Sequence, residues 1–222
     1  MNELLFLITI IICILGIFSF YKYLGHDGLY LWIIIATIFS FIASFRTMPL
    51  YSFNVNCAFP ILTSIYICIY ILIEKYTKKE INKVISTTLF TSLIVVFGIY
   101  LSSIYQPSIY NNVSIYLSKL IKNNLINLFT FPIMIATSQY FTIKIYKYIK
   151  EYYNNTFVKN CLTTIAISVI DTIFYLMIIN VGNTQIGNIV YIALATYAFK
   201  LMTTILYLPF MYYIERTKKV KK

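Results

Sequence analysis

LLFLITIIICILGIFSF, residues 4–20, carries no charge and only two hydroxyl side chains. Flanked by Glu3 and Lys22, it approaches the roughly 20 apolar residues a helix needs to cross a bilayer. A secretory signal would begin with a basic stretch and end at a small-residue cleavage site. Glu3 stands in the former place and no convincing latter exists, so the segment reads as a retained anchor.

Six further segments of the same kind follow: Gly28–Phe45, Ala58–Ile73, Val84–Ile104, Leu125–Ile143, Asn160–Ile179 and Asn188–Ile214. The third is short and is expected to reach back to Val55. With 60% of its 222 residues hydrophobic and 11% charged, the chain carries more apolar surface than a soluble domain of this size could cover. The expectation is an all-α, polytopic membrane helix bundle, one integral membrane domain over residues 1–222, with about seven transmembrane helices.

Charge orders these segments. With the N-terminus outside, the inner connections hold Lys22, then Lys75, Lys78, Lys79 and Lys83, then Lys144, Lys147, Lys150 and Lys159, then Arg216 and the terminal lysines, 14 of the 18 basic residues. Such an excess marks the cytoplasmic side. It implies a multi-pass cell-membrane protein with a cytoplasmic C-terminus. The same arrangement accounts for the net charge of +11 without nucleic acid, for which no basic groove or finger spacing exists. Cys13, Cys57, Cys68 and Cys161 lie far apart and mostly within apolar runs, as packing residues do. The outer connection Tyr105–Asn124 suits a short amphipathic piece at the interface, and Asn180–Gly187 suits a tight turn between antiparallel helices.

The strongest chemical signal is a pair of intramembrane charges, Asp171 in segment six and Lys200 in segment seven. Thr164, Ser168, Asp171 and Thr172 share one helix face, and Thr196, Lys200, Thr203 and Thr204 repeat that spacing on the next helix. Two readings stand: facing polar stripes lining a cavity, or a packing salt bridge whose threonines bond to their own helix. Segment five adds Thr137, Ser138, Gln139 and Thr142; Gln139 suits either a planar polar ligand or helix-to-helix bonding. Glu74 opens the second basic connection and reads as an interfacial residue. His26 beside Asp27 is too isolated for a metal site. No phosphate loop, zinc motif or nucleophile elbow is present, so neither catalysis nor a cofactor is expected.

The strings ILIEKYTKKEINK (Ile71–Lys83), SQY (Ser138–Tyr140), IDTIF (Ile170–Phe174) and YAFKLMTTILYLP (Tyr197–Pro209) resemble, in order and placement, the family of vitamin uptake or queuosine-precursor transporters. The family features retained are Asp171, Thr172, Lys200 and Pro209. Positions where the family carries other groups are Ile69, Tyr70, Thr77, Thr142 and Ser168 here, which marks a divergent member. The resemblance implies a family-like core over residues 28–215 behind an extra N-terminal helix and loop (1–27), with a basic cytoplasmic tail (216–222). It also implies an outline like that of the substrate-binding subunits of energy-coupling-factor transporters. The implied activity is transport of a small nitrogen-rich heterocycle, preQ0 or preQ1, held by Asp171, Lys200, Gln139, Ser168, Thr172, Thr164 and Thr204. Two alternatives remain: a vitamin-binding subunit served by a separate energy-coupling ATPase, and a structural or regulatory membrane protein that transports nothing. Partnership with an energy-coupling module, or self-association, stays open.

Overall fold

A computed structural model describes residues 1–51, 53–106, 112–123, 125–179 and 186–216. These residues form seven helices and one small hairpin: α1 (Asn2–Ser44), β1 (Thr47–Leu50), β2 (Phe53–Asn56), α2 (Phe59–Lys75), α3 (Lys78–Ile104), α4 (Asn112–Asn123), α5 (Leu125–Tyr152), α6 (Thr156–Ile179) and α7 (Ile186–Arg216). The protein is an all-α bundle, and four of its described helices are long and apolar enough to cross a membrane: Asn2–Ser44, Lys79–Ile104, Thr156–Ile173 and Leu194–Tyr213.

α1 holds two of the expected segments. Gly25 breaks it with φ 60° and ψ −130°, a backbone region open to glycine and strained for other residues. The arms, residues 2–24 and 26–44, then fold back on each other. Phe20 meets Trp32 at 6.0 Å between ring centroids, and the Asn2 amide donates to the Pro49 carbonyl at 3.0 Å. Gly16 makes that approach possible, since a Cβ there would lie 2.0 Å from the Trp32 ring. The Trp32 indole in turn donates to Ser64 of α2 at 3.1 Å.

β1 and β2 pair antiparallel, Thr47 opposite Asn56 and Leu50 opposite Phe53. This corrects the expectation that the third segment extends back to Val55. Leu50 and Val55 turn inward and are almost fully buried, with Pro49, Tyr51 and Asn54 exposed beside them, the two-residue period of a strand. Asn56 closes the junction: its amide donates to the Ser44 carbonyl at 2.9 Å and its carbonyl accepts from the Ala58 amide at 2.8 Å. α2 therefore starts at Phe59, with Pro60 in its first turn.

The remaining boundaries differ from the expected segments mainly at the lysine-rich end. α3 begins at Lys78 because Thr77 and Glu80 form a capping box, and α5 runs on to Tyr152 as a polar extension of the apolar run. The connection Tyr105–Asn124 does contain a helix, α4. Of the expected turn Asn180–Gly187, Ile186 and Gly187 already belong to α7 and residues 180–185 lie outside the described residues; of the expected tail at 216–222, Arg216 ends α7 and residues 217–222 lie outside them.

α2 is the centre. From Thr63 to Ile73 every residue is buried, as in a helix enclosed on all sides, and α1, α3, α5 and α7 pack around it. Chain direction alternates, so the arms of α1, α2, α3, α5, α6 and α7 run between a hairpin end, carrying Asn2 and β1–β2, and a lysine-rich end, carrying Lys75, Lys150 and Lys159.

Gly16→Val is expected to lower stability by about 1–3 kcal/mol through the Trp32 clash. Thermal unfolding in detergent measures it; an unchanged midpoint would contradict the close packing of the two arms.

Candidate functional site

Asp171 and Lys200 do meet. Lys200 Nζ donates to Asp171 Oδ2 at 2.5 Å, and both side chains are nine-tenths buried. Such a pair needs further hydrogen bonds to offset desolvation of its charges. α5 supplies one, because the Ser138 hydroxyl donates to Oδ1 of Asp171. α2 supplies the other: the Tyr66 hydroxyl lies 3.0 Å from Oδ2 and 3.1 Å from the Ser138 hydroxyl. Four helices thus converge on one carboxylate. Lys200 also stands 5.6 Å from the centre of the Phe59 ring, within cation–π range.

Beside the pair is a cavity of about 40 Å³ whose walls include Phe59, Leu62, Met134, Ile135 and Thr196. A space of that size takes one or a few water molecules.

The other expected residues divide. Thr204 donates to the Lys200 carbonyl at 2.9 Å and Thr203 to the Phe199 carbonyl at 3.0 Å, so this stripe is satisfied partly within its own helix. Thr203 also meets Thr63 of α2 at 3.1 Å. Thr164 lies 3.2 Å from the Tyr70 hydroxyl, and Ser168 is buried between the levels of Thr164 and Asp171. Thr172 Oγ1 is buried without a hydrogen-bond partner among the described residues. Gln139 points elsewhere: its carbonyl accepts from Thr88 of α3 at 2.5 Å, and its amide nitrogen is buried without a partner among the described residues. The structure separates Gln139 from the Asp171 cluster because neighbouring residues on a helix, 138 and 139, face different partners.

Tyr66 and Phe59 belong to the site and carried no individual signal in the sequence, where 22 tyrosines and 17 phenylalanines obscure any one of them. Glu74, expected to be an ordinary interfacial residue, sits at the centre of an ion cluster. It pairs with Lys150 at 2.7 Å and with Lys159, and accepts from the Tyr146 hydroxyl at 3.0 Å. Burial works against its charge, but the hydrogen bonds from Lys150 and Lys159 prevail and hold the carboxyl below the ordinary glutamate value.

The family described as "Putative vitamin uptake transporter" matches residues 56–214. The chain belongs to this family. The matched part contains α2–α6 and α7 up to residue 214, and with them every residue of the Asp171 cluster, while α1, β1 and all but the last residue of β2 precede it. Membership places the chain among membrane proteins of small-molecule transport rather than enzymes. No curated protein and no solved structure matches the chain.

Asp171→Leu is expected to cost about 3–5 kcal/mol by leaving Lys200 charged and unpaired, and adding Lys200→Met should recover most of it. Equilibrium unfolding in mixed micelles checks this; equal losses in single and double variants would contradict the pairing. The lowered Glu74 value carries a sign. Its stabilisation is complete above the unfolded value and disappears as pH falls through the lower folded one. Glu74→Gln should therefore flatten the acid side of the stability profile, and an identical profile would contradict the ion cluster.

Proposed function

We propose that this protein is a transporter for a small, planar, nitrogen-rich heterocycle, preQ0 or preQ1, bound at Asp171. The observation that carries the reading is the buried carboxylate of Asp171, held ready by Tyr66, Ser138 and Lys200 beside an interior cavity. Burying a charge in the membrane is costly, so a retained one points to a function. A carboxylate accepts hydrogen bonds only, which suits the exocyclic amine and ring N–H groups of a 7-deazaguanine. Phe59 and Tyr66, two turns apart on α2, both line the cavity and supply aromatic rings for stacking on such a ligand. Family membership agrees with the transport part of this reading and leaves the substrate open.

The proposed topology has seven crossings, made by the two arms of α1 and by α2, α3, α5, α6 and α7, with α4 at the outer interface. The N-terminus is outside and the lysine-rich end cytoplasmic, in the cell membrane. Supporting it are the alternating chain path and the concentration of lysines at one end.

A bicyclic ring is larger than the 40 Å³ cavity, so entry needs the site to open. In this mechanism Lys200 pairs with Asp171 when the site is empty and yields when the ligand arrives. Thr164, Ser168, Thr172 and Thr204 surround the pair on α6 and α7, and Gln139 acts at the adjoining α3 contact.

Direct binding of preQ0 and preQ1 to the detergent-purified protein tests the reading. Saturable binding at micromolar concentration or below is expected, with Asp171→Asn weaker by tenfold or more, about 1.4 kcal/mol. Lys200→Met should change both binding and uptake. Absence of binding by a well-folded sample would remove these substrates, and unaltered behaviour of Lys200→Met would remove the switch.

A further inference from the structure

Tyr66, Tyr70 and Glu74 occupy positions i, i+4 and i+8 of α2, one face of the central helix. Each meets the same two neighbours, α5 and α6, at successive levels. Tyr66 meets Ser138 and Asp171. Tyr70 stacks on Tyr146 of α5, with ring centroids 4.7 Å apart and planes 18° apart, and its hydroxyl meets Thr164 of α6. Glu74 meets Lys150 and Tyr146 of α5 and Lys159 of α6.

The two sides of Asp171 are therefore unlike. The cavity walls Phe59 and Leu62 precede Tyr66 in α2, Met134 and Ile135 precede Ser138 in α5, and Thr196 precedes Lys200 in α7. All of them lie toward the hairpin end. Toward the lysine-rich end the interior is closed twice, first by Tyr70 and Tyr146, both fully buried, then by the Glu74 cluster. Lys150 adds a bond to the Ile73 carbonyl at 3.3 Å in the last turn of α2.

We propose that the Tyr70–Tyr146 stack and the Glu74–Lys150–Lys159 cluster form the inner gate of the transport path, closed in this structure. Opening it separates the lysine-bearing ends of α5 and α6 from the end of α2 and exposes the Asp171 level to the cytoplasm. The outer layer of the gate suits that motion. Its ion pairs lie at the end of α2, where the Lys150 side chain is 38% exposed and Lys159 is more than nine-tenths buried, so water reaches the Lys150 pair first and the Lys159 pair only as the helices part. The inner layer excludes water while closed, because two tyrosine rings fill the space between α2, α5 and α6. This inference rests on the transport reading and on the charge-based orientation.

Its test needs no substrate, so a failure of the gate and a failure of the proposed ligand are distinguishable. Ser168→Cys, in a chain whose Cys13, Cys57, Cys68 and Cys161 are replaced by serine, places a thiol between the gate and Asp171. A charged, membrane-impermeant methanethiosulfonate is then applied to inside-out and to right-side-out vesicles. With the gate intact, modification from the cytoplasmic side is expected to be slow. Glu74→Gln should accelerate it tenfold or more from that side only. Lys150→Gln, which keeps the Lys159 pair, should accelerate it less, and it serves if Glu74→Gln does not fold. Fast cytoplasmic modification without any gate variant would overturn the proposal. So would rates that stay unchanged in a folded variant, or that rise equally from both sides.

Discussion

A carboxylate buried among helices has to find all its hydrogen bonds in protein. Asp171 finds them in Lys200 of α7, Ser138 of α5 and Tyr66 of α2, and this requirement draws four helices to one point. The rest of the interior follows from where α2 must be to deliver Tyr66. A helix at the centre of a bundle can afford no exposed face, and α2 is buried from Thr63 to Ile73. Tyr66, Tyr70 and Glu74 are matched one level at a time by α5 and α6, while Thr63 meets Thr203 of α7 and Ser64 meets Trp32 of α1. Its start is fixed by Asn56 and by the Tyr207 hydroxyl, which donates to the Pro60 carbonyl at 3.0 Å.

The same packing gives the molecule two unlike halves. Toward the hairpin end, α2, α5 and α7 leave a small cavity walled largely by apolar side chains. Toward the lysine-rich end, rings and ion pairs fill the interior. The capping box at Thr77, the lysines on α5 and α6 and the glycine break in α1 all belong to that end, where water and headgroups are at hand to satisfy polar groups. The division between a half with an apolar-walled cavity and a half filled by rings and ion pairs is a property of this arrangement of helices before any ligand is considered.

Much of this was legible in the sequence because lipid imposes a coarse rule. A run such as Leu4–Phe20 has one stable form, and the positions of α3, α5, α6 and α7 follow the apolar runs closely. The pairing of Asp171 with Lys200 was legible for the same reason, since each is intolerable alone. Two kinds of feature were not. The β1–β2 hairpin is short, and its alternation at Leu50, Phe53 and Val55 sits beside a stronger helical signal. Side-chain direction within a uniformly apolar helix leaves no periodic trace either. Hence Tyr66 carries no signal of its own among 22 tyrosines, Gln139 shares the polar run of Ser138 although it faces Thr88, and Glu74 has the sequence setting of an ordinary interfacial residue. Family membership, covering residues 56–214, agrees with the transport reading without selecting among these side chains.

Transport, as proposed, is organised at the Tyr66–Asp171 contact, and Tyr66→Phe tests this by removing one oxygen while keeping the ring and its packing. The measurement is uptake of labelled preQ0 or preQ1 into proteoliposomes by this variant beside the unaltered protein, with both shown to be folded by gel filtration. Uptake is expected to fall about tenfold, equivalent to about 1.4 kcal/mol, as for the loss of a hydrogen bond to a charged group. Undiminished uptake by the variant would contradict it.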